Sequence, residues 1–189
     1  MKRLALSLFS ALFASGLALA HESPIDHVER EFQFWVKDNQ LFLSYRLQTT
    51  DRATLMELKQ MDGNGNGKIT DAERDAFLTQ KADVIAKSFA LEVNQKPLTF
   101  APVGTVVRDR KLGQTFLFSA PLPPLKPGSN PGKLVDGYSR KYPGGFRWKA
   151  RPEVRPGELR VEPLTPPPQP GSTLHPPWIE LNFEIVVPQ

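Results

Sequence analysis

The chain has 189 residues, 40 % of them hydrophobic, and no cysteine. That absence excludes disulfides, thiolate metal sites, a cysteine nucleophile and a cysteine-linked lipid anchor. The formal net charge is +4, and it falls to +2 once Lys2 and Arg3 are set aside with the leader they head, so charge gives no argument for a nucleic-acid partner.

The first twenty residues read MKRLALSLFSALFASGLALA. A short cationic start, an apolar stretch and the small-x-small site Ala18-Leu19-Ala20 are the layout of a secretory signal peptide. The apolar run is short of the ~20 residues a spanning helix needs and is broken by serines and a glycine. The expectation is export to the periplasm or the medium, loss of residues 1–20, and one domain over 21–189 without a membrane span.

From Val28 to Thr50 the pattern has a period of two. Val28, Phe32, Phe34 and Val36 share one parity, and Leu41, Leu43, Tyr45 and Leu47 alternate with Phe42, Ser44, Arg46 and Gln48. This predicts a β-hairpin turning at Lys37-Asp38-Asn39-Gln40. The period then changes. Leu55, Leu58 and Met61 recur every three residues after a cap at Thr50 or Asp51, and Leu78, Ala82, Ile85 and Phe89 form a stripe on a helix running to about Lys87. Thr70 and Glu73 are spaced as a capping box for that second helix.

Strands are predicted next at Phe89–Val93, at Leu98–Val107 after a turn through Asn94-Gln95-Lys96-Pro97, and at Gln114–Ala120. The rest is rich in proline, with 16 of the 19 prolines at or beyond Pro121. Short or edge strands are expected at 146–150, 158–162 and 178–187, because proline gives a ladder no N–H. Residues 163–177 read as an extended, polyproline-like connector. The fold class implied is mainly β with a helical insert: an antiparallel β-sandwich carrying a helix–loop–helix at about 51–88, after the first hairpin.

Between the two helices stands DGNGNGKITDAE, residues 62–73, which fills the EF-hand calcium-loop template D-x-[DN]-x-[DN]-G-x₅-E at every fixed position. The ligand set is Asp62, Asn64 and Asn66 through side-chain oxygens, Lys68 through its carbonyl, Thr70 directly or through water, and Glu73 as the bidentate carboxylate. Gly67 permits the sharp turn. Ile69 is the apolar residue that tucks such a loop against a neighbouring strand. Hard oxygen donors favour calcium over zinc or copper. With asparagine at two ligand positions and flexible Gly63 and Gly65, affinity is expected near the ~10⁻⁴–10⁻³ M of extracellular modules. No second loop of this kind occurs, so a structural role for calcium is expected rather than a switch.

Other constellations carry less. Cleavage after Ala20 would make His21 the first residue, where a free amine beside an imidazole can chelate copper or nickel; His27 and His175 are the only further histidines. The stretch 138–155, YSRKYPGGFRWKARPEVR, mixes aromatics with arginines and lysines and reads as a strand and turn with one solvated basic face. There is no G-x-S-x-G, and HESPIDH lacks the H-E-x-x-H spacing of zinc proteases.

The leader, the strand pair ending YRLQTT, the run LKQMDGNGNGKITDAE, the LEVNQKPL strand–turn and YPGGFRW together resemble an exported family. It is that of the EF-hand-bearing extracytoplasmic domains of HupE/UreJ-like and related bacterial metal-transport-associated proteins. The resemblance spans roughly 28–148. It implies a sandwich-like domain with a calcium-type loop in a setting of nickel, cobalt or copper handling, with an envelope protein or metal transporter as partner. The chain departs from it in lacking transmembrane helices and in its proline-rich end. The expected function is that of an exported, non-catalytic calcium-binding protein. The alternatives are transition-metal binding or delivery through His21, and, third, a copper enzyme acting on polysaccharide.

Overall fold

The computed structural model describes residues 28–104, 106–108, 113–149, 159–167 and 178–188. The leader, His21, His27 and His175, and residues 168–177 of the proline-rich connector lie outside them. Strand β1, Val28–Lys37, and strand β2, Gln40–Thr49, form the antiparallel hairpin that the alternation requires. Its two-residue turn is Asp38-Asn39, both at positive φ (49° and 57°), the primed turn whose twist matches that of the strands. The predicted inward sets on β1 and β2 are buried.

Two helices follow, α1 (Asp51–Met61) and α2 (Asp71–Ser88), and lead into β3 (Phe89–Val93) and β4 (Lys96–Leu98). Strands β5 (Ala101–Pro102), β6 (Val107–Arg108), β7 (Gly113–Pro121) and β8 (Gly128–Asp136) come next. A 3₁₀ turn (Gly137–Arg140) then precedes β9 (Phe146–Trp148), β10 (Arg160–Pro163) and β11 (Ile179–Val187). The described residues are thus mainly β with one helical pair.

The strands make two sheets. The first has the order β5-β7-β2-β1-β9 with β6 also on β7, and the second the order β10-β11-β8-β3-β4. Every pairing is antiparallel except that of β9, which runs parallel to β1 with Arg30 opposite Phe146. The expectation of purely antiparallel sheets therefore fails at that edge. The predicted strand over 98–107 is also interrupted: β4 stops at Leu98, and among the described residues two short pieces, Ala101–Pro102 and Val107–Arg108, pair with β7. Conversely, β8 fills a stretch where no strand was expected.

Inward side chains of both sheets share one apolar core. Phe34 of β1 stacks on Phe183 of β11 with ring centroids 5.0 Å apart, and Phe89 of β3 meets Phe118 of β7 edge-on at 5.5 Å. Burying each such side chain contributes about 1.5–3 kcal/mol before entropy is subtracted. Helix α2 adds Leu78, Ala82 and Ile85 to the buried set, as its period demands. Helix α1 follows its predicted stripe only in part, with Met61 buried and Leu58 half-buried but Leu55 turned out. Its buried residues are Ala53, Thr54 and Met61, while Leu55 is 61 % exposed. The start of α1 is fixed by Thr54 Oγ1, 2.8 Å from Thr49 Oγ1 at the end of β2, which turns Leu55 to solvent.

Candidate metal centre

Local sequence builds the loop from both sides. Thr50 caps α1 by accepting from the Ala53 N–H (3.2 Å), and the Asp62 N–H closes that helix on the Leu58 carbonyl (3.2 Å). Gly65 and Gly67, at φ 70° and 78°, then reverse the chain, a conformation that costs other residues ~1 kcal/mol or more. The capping box is complete: Thr70 Oγ1 accepts from the Glu73 N–H (3.2 Å), and Glu73 Oε2 accepts from the Thr70 N–H (3.0 Å).

Backbone donors hold the candidate ligands in place. Asp62 accepts from the Asn66 N–H (3.1 Å) and the Gly67 N–H (2.7 Å), one on each carboxylate oxygen. Asn64 Oδ1 accepts from the same Asn66 N–H (3.0 Å), which brings the oxygens of the first and third loop positions together. Asn66 Oδ1 accepts from the Lys68 N–H at 2.8 Å. Asn64 donates its Nδ2 to Glu73 Oε1 (2.7 Å), so the twelfth position faces the third across the loop mouth. The Thr70 hydroxyl donates to Glu73 Oε2 (2.8 Å) and serves as cap to α2.

Electrostatics follow from these bonds. The Thr70 N–H, and after it the Thr70 hydroxyl, hold the Glu73 carboxyl below its ordinary value of 4.5. Hydrogen bonds to the charged form favour that form. The loop is solvent-exposed, and among the described residues no three Asp, Glu or His side chains gather at one point. The candidate ligand set carries two carboxylates, Asp62 and Glu73, with amide oxygens beside them. That donor set fits a hard divalent cation and offers no nitrogen or sulfur to a softer one. Ile69 does not tuck under a strand; it is 38 % exposed, because residues 68–70 pair with no neighbouring strand.

Two buried polar clusters were not anticipated. Arg30 and Asp136, both wholly buried side chains, pair at 3.1 Å between the two sheets, with the Tyr45 hydroxyl donating to Asp136 Oδ2 (2.8 Å). Burial pushes the Asp136 carboxyl up, against the pull of Arg30, and pushes the Tyr45 phenol well up. The second cluster joins Lys81 of α2, Glu57 of α1 and Gln114 of β7. The one available signal for Arg30 was its inward parity between Val28 and Phe32. Within the basic stretch, Arg147 pairs with Glu31 at 2.8 Å and Arg140 lies over the Trp178 ring at 5.0 Å.

No protein-family model matches the chain, and no curated protein matches it in sequence. Among the described residues no helix is long and apolar enough to cross a membrane.

Proposed function

We propose that this is an exported, non-catalytic calcium-binding protein. In this reading the two sheets are layers of a β-sandwich. The helix pair with its 62–73 loop is a single EF-hand whose ion is structural. Asp62, Asn64, Asn66, Glu73 and the Lys68 carbonyl hold calcium, with Thr70 contributing at the rim. The observation that carries the reading is the loop's organisation: Asp62, Asn64 and Asn66 are each held by backbone N–H groups of the loop itself, and Glu73 faces Asn64 from the first turn of α2. Such pre-ordering lowers the entropy that calcium binding must overcome. The role is pinning α1 to α2 where the chain passes from one sheet to the other. An envelope protein or metal transporter is the partner class that the HupE/UreJ-like resemblance adds.

The test is calorimetric titration of the metal-stripped chain from His21 with calcium. One saturable site, with a dissociation constant of about 10⁻⁴–10⁻³ M and lost in Glu73→Gln, is the expected result. No heat and no thermal stabilisation at several millimolar calcium would overturn the proposal.

A further inference from the structure

A cleft of about 780 Å³ lies between α1 and α2, the open end of the β1–β2 hairpin and the segment 137–142 that follows β8. Its size is that of a small-molecule site, too small for a folded partner. The helical wall carries Met56 of α1, with Phe77 and Val84 of α2, set beside the amides of Gln60 and Gln80, and both Met56 and Val84 are 51 % exposed. Opposite stand Tyr138 and Tyr142, their rings 4.7 Å apart.

The floor explains why the helices do not close on the sheets. Lys81, 8 % exposed, bonds Glu57 and donates to Gln114 Oε1 (2.8 Å), and Gln114 donates back to Glu57 Oε2 (2.5 Å). The three groups prop α1, α2 and β7 at a fixed separation. Their charges answer one another, so the floor calls for no counter-ion, and the exposed Lys141 at the rim lies over the Tyr142 ring at 5.3 Å. The Tyr138 phenol is pushed up, first by burial, then by Tyr142 and Glu57, and stays a neutral O–H at any physiological pH.

We infer that this cleft binds a neutral aromatic amphiphile, its ring body against Met56, Phe77, Val84 and Tyr142 and its polar oxygen toward the Tyr138 hydroxyl. Apolar side chains interleaved with amide and hydroxyl groups suit a ring-bearing ketone, ester or amide. The site is independent of the calcium proposal.

The test uses prodan, a neutral naphthalene ketone whose emission reports polarity, titrated into the full chain in the presence of chelator. One saturable site with blue-shifted emission is expected. Met56→Glu and Val84→Trp change exposed wall positions that tolerate substitution without unfolding, and each should weaken binding about tenfold or more. Tyr138→Phe should cost about fivefold and alter the emission of the bound ketone. Leu55→Glu, also exposed but outside the cleft, should bind as the native chain does. Absence of saturable binding, equal loss in Leu55→Glu, or native affinity in both wall variants would each overturn the inference.

Discussion

Replacing Arg30 by methionine isolates the buried polar junction of the two sheets. Arg30 donates Nη1 to the Val28 carbonyl (2.7 Å), Nη2 to the Tyr142 carbonyl and Nε to the Tyr45 hydroxyl (3.0 Å), and pairs with Asp136 at 3.1 Å. Methionine keeps much of the stem's volume and removes every donor. Leaving one partner of a buried pair uncompensated costs about 3–5 kcal/mol. The two stranded carbonyls add to this wherever water fails to reach them, at about 1–3 kcal/mol each. The expected loss is at least about 4 kcal/mol, or about 8–16 °C in Tm for a domain of this size. Asp136→Leu in the same background removes the orphaned charge, and the double variant should be milder than the sum of the single changes by about 2 kcal/mol. Urea unfolding followed by tryptophan fluorescence measures all four proteins. A loss below about 1 kcal/mol in Arg30→Met, or strict additivity in the double variant, would refute the reasoning.

Gly132→Ala places a methyl group 2.3 Å from the Phe183 ring, so the strand or the ring must move; thermal unfolding should show a loss of about 1–3 kcal/mol. Because Glu73 ionises more readily when folded, its contribution to stability is fully present above pH 4.5 and is lost as pH falls through its lowered folded value. In chelator, the native chain should therefore lose its Tm advantage over Glu73→Gln on acidification, and an advantage undiminished at about pH 2 would contradict the capping role.

Much of the fold was readable where local chemistry decides it. Asp38-Asn39 turns the first hairpin, alternation on β1 and β2 sets their inward face, and Thr70 with Glu73 starts α2 where a capping box should. The turn of the loop was readable for the same reason, since its candidate ligands lie within twelve residues. Strand β8 was hidden because GSNPG has little β-propensity; it forms since β11 and β3 supply partners on both sides and Gly132 leaves room for Phe183. Leu55 misled because three-residue spacing marks a helix face without saying what lies against it. Arg30 with Asp136, and Glu57 with Gln114, are brought together only by sheet topology, which no local pattern encodes.

The 62–70 loop interrupts the helical crossing from β2 of the first sheet to β3 of the second, and its position divides the chain unevenly. The segment before it holds β1 and β2, the two middle strands of the first sheet, flanked by β7 and β9 from the segment after it. A cut within the loop would therefore yield two fragments, neither able to complete that sheet alone. Their reassembly would restore the shared core and rejoin the two helices. Expressed as separate pieces, 28–64 and 65–188 are a natural pair for fragment complementation, with Asp62 and Asn64 on one piece and Asn66 and Glu73 on the other. On the calcium proposal, the ion would then act as a tether between two chains, and its concentration would set how tightly they recombine.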